Sequence, residues 1–279
     1  MLPSSDHSKV TIIFAVSSDI GFAIASSRLE AGWTVFGTYR NWEPKLDSLT
    51  ERGATLYPLD MIDHHQIKVI TEKIKEDIST WDELIVASGS LEPIDSFCKV
   101  DINEWINSIN INFTSQLMTV RCLLDRRTNS ALLVFFAGGG TNGASDDFSA
   151  YTVSKIALIK MVELLDSELP DLNVISVGPG WVKTKIHQQT LLCSEAGESA
   201  KDETLRRLES DEFVDMREIV LFFDWLWTQD KSLLSGRNLS IANDGWRQKN
   251  FSKYLSSKLD FGKLRRFGNY QLNEYKEKN

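Results

Sequence analysis

Cysteine, histidine and proline are scarce in this chain of 279 residues, with 3, 4 and 6 copies, and the shortages narrow what it can be. Cys98, Cys122 and Cys193 are odd in number and widely spaced, which excludes a disulfide framework and suits a reducing, cytoplasmic setting. The histidines (His7, His64, His65 and His187) show no metal-ligand spacing, and adjacent His64 and His65 point to different sides of any helix or strand. No metal is expected. No stretch approaches the roughly 18 apolar residues of a membrane span, and Met1 to Lys9 is polar, without the apolar centre of a targeting signal. An excess of positive charge is missing too. The formal net charge of -8 argues against a general nucleic-acid binder, because phosphate affinity rests on clustered Lys and Arg.

What is present is apolar residue enough, 42 % of the chain, to bury a substantial core, with nothing resembling a long linker. Val10 to Val16 is a short β-branched run ending in small residues. A helical pattern from Gly21 to Ala31 and a second apolar run from Trp33 to Gly37 complete a βαβ unit. Further strands are expected at Thr55 to Leu59, Glu83 to Ala87, Ala131 to Phe136, Asn173 to Val177 and Asn238 to Ile241, with helices between them. This alternation predicts an α/β fold: a doubly wound, Rossmann-like parallel sheet in a single domain over residues 1–245, with a C-terminal extension over 246–279. Ligands bind such sheets at the carboxyl ends of the strands. The polar stretch Ser194 to Asp211 reads as a solvated helical excursion or, in a doubly wound enzyme, as part of a substrate lid near 185–215.

A dinucleotide site needs a tight turn after the first strand, where backbone approaches pyrophosphate, and a helix whose amino end offers N–H groups. Here the turn reads Phe14-Ala15-Val16-Ser17-Ser18-Asp19-Ile20-Gly21. Gly21 alone remains of a three-glycine fingerprint. Ser17 and Ser18 offer hydroxyls to phosphate, and Asp19 is placed to cap the helix. A plain strand-turn-helix accounts for the same residues equally well. The second strand ends in Thr38-Tyr39-Arg40-Asn41, with no acidic residue at Thr38 or Tyr39 to bond a ribose 2′-hydroxyl. Arg40 suits a 2′-phosphate, so NADP(H) is favoured over NAD(H), the alternative being a surface Arg that merely ends a strand.

Tyr151-Thr-Val-Ser-Lys155 places a phenol and an amine on one helix face at i, i+4. Tyr254 and Lys258 share that spacing, so the context decides. The strand Ala131 to Phe136 and the glycines Gly138 to Gly140 precede Tyr151, and Pro179-Gly180-Trp181-Val182-Lys183-Thr184 follows the next strand. With Asn112 in Ile111-Asn112-Phe113, these motifs resemble the short-chain dehydrogenase/reductase family, in order from about Val10 to Gly245. The resemblance implies hydride exchange between a nicotinamide and a carbonyl or alcohol carbon. Tyr151 would be the acid/base, its pKa of about 10 lowered by nearby positive charge. Lys155 would supply part of that charge and bond the nicotinamide ribose, and Asn112 would hold a proton-relay water. The resemblance also implies cofactor contacts from Ser17, Ser18, Ile20, Gly21, Tyr39 and Arg40, from Asp60 on the adenine side, and from Ser88, Gly89, Pro179, Gly180, Val182 and Thr184. The blander possibility is a Tyr packed on the sheet with Lys155 snorkelling outward.

The chain departs from the family in several places. Ala15 and Asp19 replace glycines, Val86-Ala87-Ser88-Gly89 lacks two asparagines, and Ala137, Gly138 and Gly139 stand where a Ser orients the substrate. Losing one such donor costs on the order of 100- to 1,000-fold in turnover, unless Thr141 or Asn142 takes its place. The competing expectation is therefore a degenerate member that binds nucleotide, or nothing, and serves a structural or regulatory role. The tail from Trp246 to Asn279 is basic: Arg247, Lys249, Lys253, Lys258, Lys263, Arg265, Arg266, Lys276 and Lys278 face only Asp260, Glu274 and Glu277, with Phe251, Tyr254, Phe261, Phe267 and Tyr270 interleaved. It either docks on its own or a neighbouring subunit or, through Arg265 and Arg266, helps bind an anionic substrate. The Gly138 to Asn142 stretch with the Lys263 to Arg266 tail resembles reductases of bacterial surface-polysaccharide synthesis, which implies a nucleotide-linked sugar as the small-molecule substrate. Family members pair through helices beginning near Ile102 and Tyr151, so a homodimer or homotetramer is expected.

Overall fold

The computed structural model describes residues 8–194, 197–210 and 212–266. Seven parallel strands form one sheet in the order β3-β2-β1-β4-β5-β6-β7. They are β1 (Val10–Phe14), β2 (Thr34–Tyr39), β3 (Thr55–Pro58), β4 (Trp81–Val86), β5 (Arg127–Phe136), β6 (Leu172–Gly178) and β7 (Arg237–Ser240). Each expected strand is present. β5 starts at Arg127 rather than Ala131 because it carries a bulge: its register with β4 shifts between Trp81 and Glu83, near Ser130 at φ 63°.

Period-two alternation fills two cores. Ile13, Leu132, Val134, Ile175 and Val177 face one side, while Ile12, Phe14, Leu133, Phe135 and Val174 face the other. The first side is covered by α1 (Asp19–Glu30), with α2 (Asp47–Glu51) at its margin. The second is covered by α3 (His64–Asp77) and by α5 (Ser115–Leu123), which continues α4 (Ile102–Ile109) through a π-helical turn (Asn110–Thr114). α6 (Ser149–Glu168) joins that second face through Leu158 and Val162. Two short helices, α7 (His187–Leu192) and α8 (Glu198–Glu209), follow β6 and stand over the carboxyl ends of the strands. α9 (Met216–Thr228) buries Ile219, Phe222, Phe223 and Leu226 on the first face, and α10 (Lys231–Leu234) leads into β7. No helix among the described residues is long and apolar enough to cross a membrane.

The described part of the tail docks on its own chain. Trp246, Phe251 and Leu255 are buried in the first core, the last two from α11 (Phe251–Ser257). Arg237 donates to the carbonyls of Leu255, Lys258 and Phe261, and Asn238 N–H donates to Gly262 O at 2.7 Å. β7 is an edge strand, and this segment satisfies part of an edge that would otherwise invite pairing with another chain. Phe267, Tyr270, Glu274, Lys276, Glu277 and Lys278 lie outside the described residues.

Candidate active site

At the end of β1 the chain turns at Ala15, whose φ of 66° is left-handed. A side chain there costs about 1 kcal/mol. The turn persists because Ala15 N–H donates to Thr38 Oγ1 at 3.1 Å and Ala15 O accepts from Ser18 N–H and Oγ at 3.0 and 2.8 Å. Ser18, extended at φ -66° and ψ 155°, caps α1 by accepting from Gly21 N–H at 3.0 Å. That corrects the expectation for Asp19. The shorter serine takes the cap and Asp19 becomes the first helical residue, free to reach Lys45 and Lys185. Gly21 is essential to the packing: a Cβ there would lie 2.5 Å from Ala15 O. The dinucleotide-type turn therefore forms without the missing glycines. The wall of the crevice also offers a polar group that a bound dinucleotide could partner: Ser88 Oγ is buried with no hydrogen-bond partner among the described residues.

One cleft of about 1760 Å³ joins this turn to the reaction end, more than a single ligand of ordinary size fills. Ser17, Ser18, Ile20, Tyr39, Arg40, Asp60, Ser88, Gly89, Tyr151, Lys155, Pro179, Gly180, Val182 and Thr184 all line it. Gly21 and Asn112 lie behind the wall. Asn112, fully buried in the π-helical turn, accepts from Ser90 N–H at 3.0 Å and donates to Ser90 O at 2.8 Å and Ser108 Oγ at 3.2 Å. Such turns re-aim side chains, and this one lets Asn112 clamp the loop after β4. Gly89 lies beside both groups: a Cβ there would meet Asn112 Oδ1 at 3.4 Å and Lys155 Nζ at 3.7 Å, which are ordinary contact distances.

α6 brings Tyr151 and Lys155 together one turn apart, with the ammonium 5.8 Å from the phenol ring centroid. Burial alone pushes the Tyr151 hydroxyl up to about 12 and Lys155 down to about 8. Lys155 does not snorkel out; it is 3 % exposed. Because its folded pKa lies below the ordinary 10.5, its contribution to stability is present above that pH and is lost as pH falls to about 8. Lys155→Met is accordingly expected to stabilise the protein by about 3 kcal/mol at neutral pH. Urea unfolding should show the gain fading as pH rises from 8 to 10.5, and no gain at neutral pH would mean that the ammonium keeps its hydration.

Where the family has Ser, the space is taken. A Cβ on Gly138 would lie 2.7 Å from the Tyr151 hydroxyl, so the phenol occupies the volume a side chain at 138 would need. Thr141 and Asn142 line the same cleft, with no hydrogen bond from either to Tyr151 among the described residues. α7 and α8 overhang this end and present Gln189, Leu192 and Arg207 to the cleft. Arg265 and Arg266 are not there. Arg265 is held by Glu163 on α6 at 2.7 Å and by Asp260 at 2.8 Å, and its guanidinium keeps the Glu163 carboxyl down at about 2. Of the tail's cations, Arg247 lines the cleft, where it pairs with Glu218.

Several neighbours of the site have no motif to announce them. Gln116 donates to Ser88 O at 2.9 Å, and Gln189 on α7 accepts from Leu91 N–H at 2.8 Å and donates to Ser90 Oγ at 3.3 Å. Only the position of Gln116 one turn after Asn112 hinted at a shared helix face.

Comparison with known proteins agrees with this geometry. Residues 9–192 match the family described as short chain dehydrogenase. An uncharacterized oxidoreductase of Schizosaccharomyces pombe is 30 % identical over 184 residues, 63 % of this chain and 72 % of that protein. A 3-oxoacyl-[acyl-carrier-protein] reductase of Thermotoga maritima is 26 % identical over 247 residues, 84 % of this chain and 96 % of the relative. Among solved structures, a short-chain dehydrogenase/reductase from Saccharomyces cerevisiae superposes with a TM-score of 0.77 at 24 % identity, covering 87 % of this chain and 99 % of its own.

Proposed function

Because the chain belongs to the short-chain dehydrogenase/reductase family, and is thereby an NAD(P)-dependent oxidoreductase, we propose that it exchanges hydride between NADP(H) and a carbonyl or alcohol carbon of a polar substrate. The observation that carries this reading is the buried Tyr151 and Lys155 pair opening onto the same cleft as the Ser17 to Ile20 turn. The nicotinamide, when bound, supplies the hydride and, when oxidised, a positive charge that brings the phenol down toward a working pKa. Tyr151 gives or takes the proton at the substrate oxygen. Lys155 bonds the nicotinamide ribose and favours the ionised phenol. Asn112 already commits its side chain to Ser90 and Ser108, so the relay water falls to its main-chain carbonyl.

Arg40 at the end of β2 supports the preference for NADP(H): it lines the cleft and has no ion pair among the described residues. Arg207 and Arg247 line the cleft paired with Glu203 and Glu218, so an anionic substrate such as a nucleotide-linked sugar would have to displace those carboxylates to use them. The likeness to surface-polysaccharide reductases loses its tail half, because Arg265 is held by Glu163. Exposed Ile102 and Ile106 on α4 and Val153 on α6 support pairing of two copies across those helices, in a cytoplasmic protein.

A second reading, a member that binds nucleotide without turnover, is favoured by Gly138 at the serine position. Quenching of the eight tryptophans on titration with NADPH and NADH, followed by NADPH consumption with nucleotide-linked keto-sugars, separates the two. Tighter NADPH binding with turnover is expected. Binding of neither cofactor would sink the enzyme reading, and binding without turnover of any carbonyl would establish the second.

A further inference from the structure

Asp19, one of the two residues that replace fingerprint glycines, accepts from Lys185 backbone N–H at 2.9 Å and from Lys45 Nζ at 3.0 Å. It thus ties the loop after Thr184 to the dinucleotide turn. The Lys185 side chain continues inward along that turn, donating to Ser17 O at 2.9 Å and pairing with Glu43. Glu43 also pairs with Lys45, at 3.4 Å. Two lysines and two carboxylates from three separate segments therefore close a ring across the mouth of the crevice. Glu43 follows Arg40 in the loop after β2, and Ser17, Arg40, Glu43 and Lys185 all line the same cleft. Burial pushes the Glu43 carboxyl up, but Lys185 and Lys45 outweigh it and hold the group below its ordinary range. An anion is thus already favoured at this spot.

We propose that Lys185 is a specificity-determining cation for the 2′-phosphate of NADP(H), with Glu43 as an internal anion that holds its place until the cofactor enters. This rests on the NADP(H) reading above and adds a residue to it. Arg40 reaches the phosphate from the sheet side and Lys185 from the loop. Asp19 stands where a glycine would leave the loop untied, and moors the backbone that carries Lys185. Exchange of one anion for another leaves the ammonium paired in both states, so the discrimination arises from the charge and hydrogen-bonding capacity that phosphate has in excess of carboxylate.

Binding by the whole protein tests this without turnover. Wild type, Lys185→Ala, Lys185→Arg and Glu43→Gln are titrated calorimetrically with NADPH, NADH and adenosine 2′,5′-bisphosphate. Lys185→Ala is expected to weaken NADPH and the bisphosphate about tenfold, as for loss of one charge-assisted hydrogen bond, while NADH stays within about twofold. Lys185→Arg should retain the preference. Glu43→Gln should tighten the two 2′-phosphate ligands about threefold or more and leave NADH unchanged. Equal weakening of NADPH and NADH by Lys185→Ala would assign Lys185 to holding the loop and overturn the proposal. An NADPH preference that persists undiminished in Lys185→Ala would overturn it while leaving the NADP(H) reading in place. A wild type that prefers NADH, or binds neither, would overturn both.

Discussion

Tyr151→Phe lowers turnover by about 100- to 10,000-fold, the range general acid–base catalysis contributes. The substitution removes one oxygen and leaves the ring against Gly138, where the contacts that fill the position-138 volume come from ring carbons as well as the hydroxyl. Fold and cofactor affinity should therefore persist. The loss belongs in kcat with KM little changed, because the proton is transferred only in the transition state. In the reductive direction the phenol must start protonated, and burial that pushes it up to about 12 keeps it so through the neutral range. Steady-state kinetics of the variant beside NADPH titration checks both halves. Turnover within about threefold of wild type would place the acid/base elsewhere on the cleft.

Glu83→Ala destabilises the protein by about 3–5 kcal/mol, because it leaves a buried guanidinium without its main partner. Glu83 and Arg28 are 0 % and 3 % exposed at their side chains and meet through two hydrogen bonds of 2.9 Å. Thr11 Oγ1 and Trp227 Nε1 complete the carboxylate, Asp224 takes a third N–H of Arg28, and the Trp33 ring lies 4.8 Å from the guanidinium. Burial alone would push Glu83 up, yet Arg28 and these donors hold it below its ordinary 4.5. The folded value is the lower one, so the stabilisation is present above 4.5 and is lost as pH falls through the folded value. Denaturant unfolding should show the deficit at neutral pH and a narrowing gap between variant and wild type in acid. Replacing both partners, Arg28→Met with Glu83→Leu, should cost less than either single change. A double variant as unstable as the sum of the singles would mean that the pair is not a coupled unit. The cluster lies toward the amino ends of β1 and β4, away from the cleft, so these variants should fold less stably without altered cofactor preference.

The alternation of short β-branched runs with longer 3.6-period segments carried the seven strands along the chain, because both periods are local and the central strands bury both faces. The cofactor turn was half legible. Ser17, Ser18, Gly21 and Arg40 stand at motif positions, but whether Ala15 could adopt a left-handed turn depended on Thr38 from the neighbouring strand. Asp19 looked like a cap because caps are chosen from a short list of residues. Ser18 is on the same list, one position earlier, and backbone direction decided between them.

That Tyr151 and Lys155 share one helix face was legible in the sequence, but Tyr254 and Lys258 share the spacing, and only the surrounding motifs distinguished the first pair. Their burial, and with it the opposite displacement of their two pKa values, came only with the packing of α6 on the sheet. The destinations of the charged side chains likewise belonged to the tertiary structure. Arg265 went to Glu163, Arg28 to Glu83, and Lys185 to Asp19, Ser17 and Glu43, each across a sequence separation over which no periodicity operates. A long cationic side chain can reach many carboxylates from its place in a sequence, and only the folded backbone selects one.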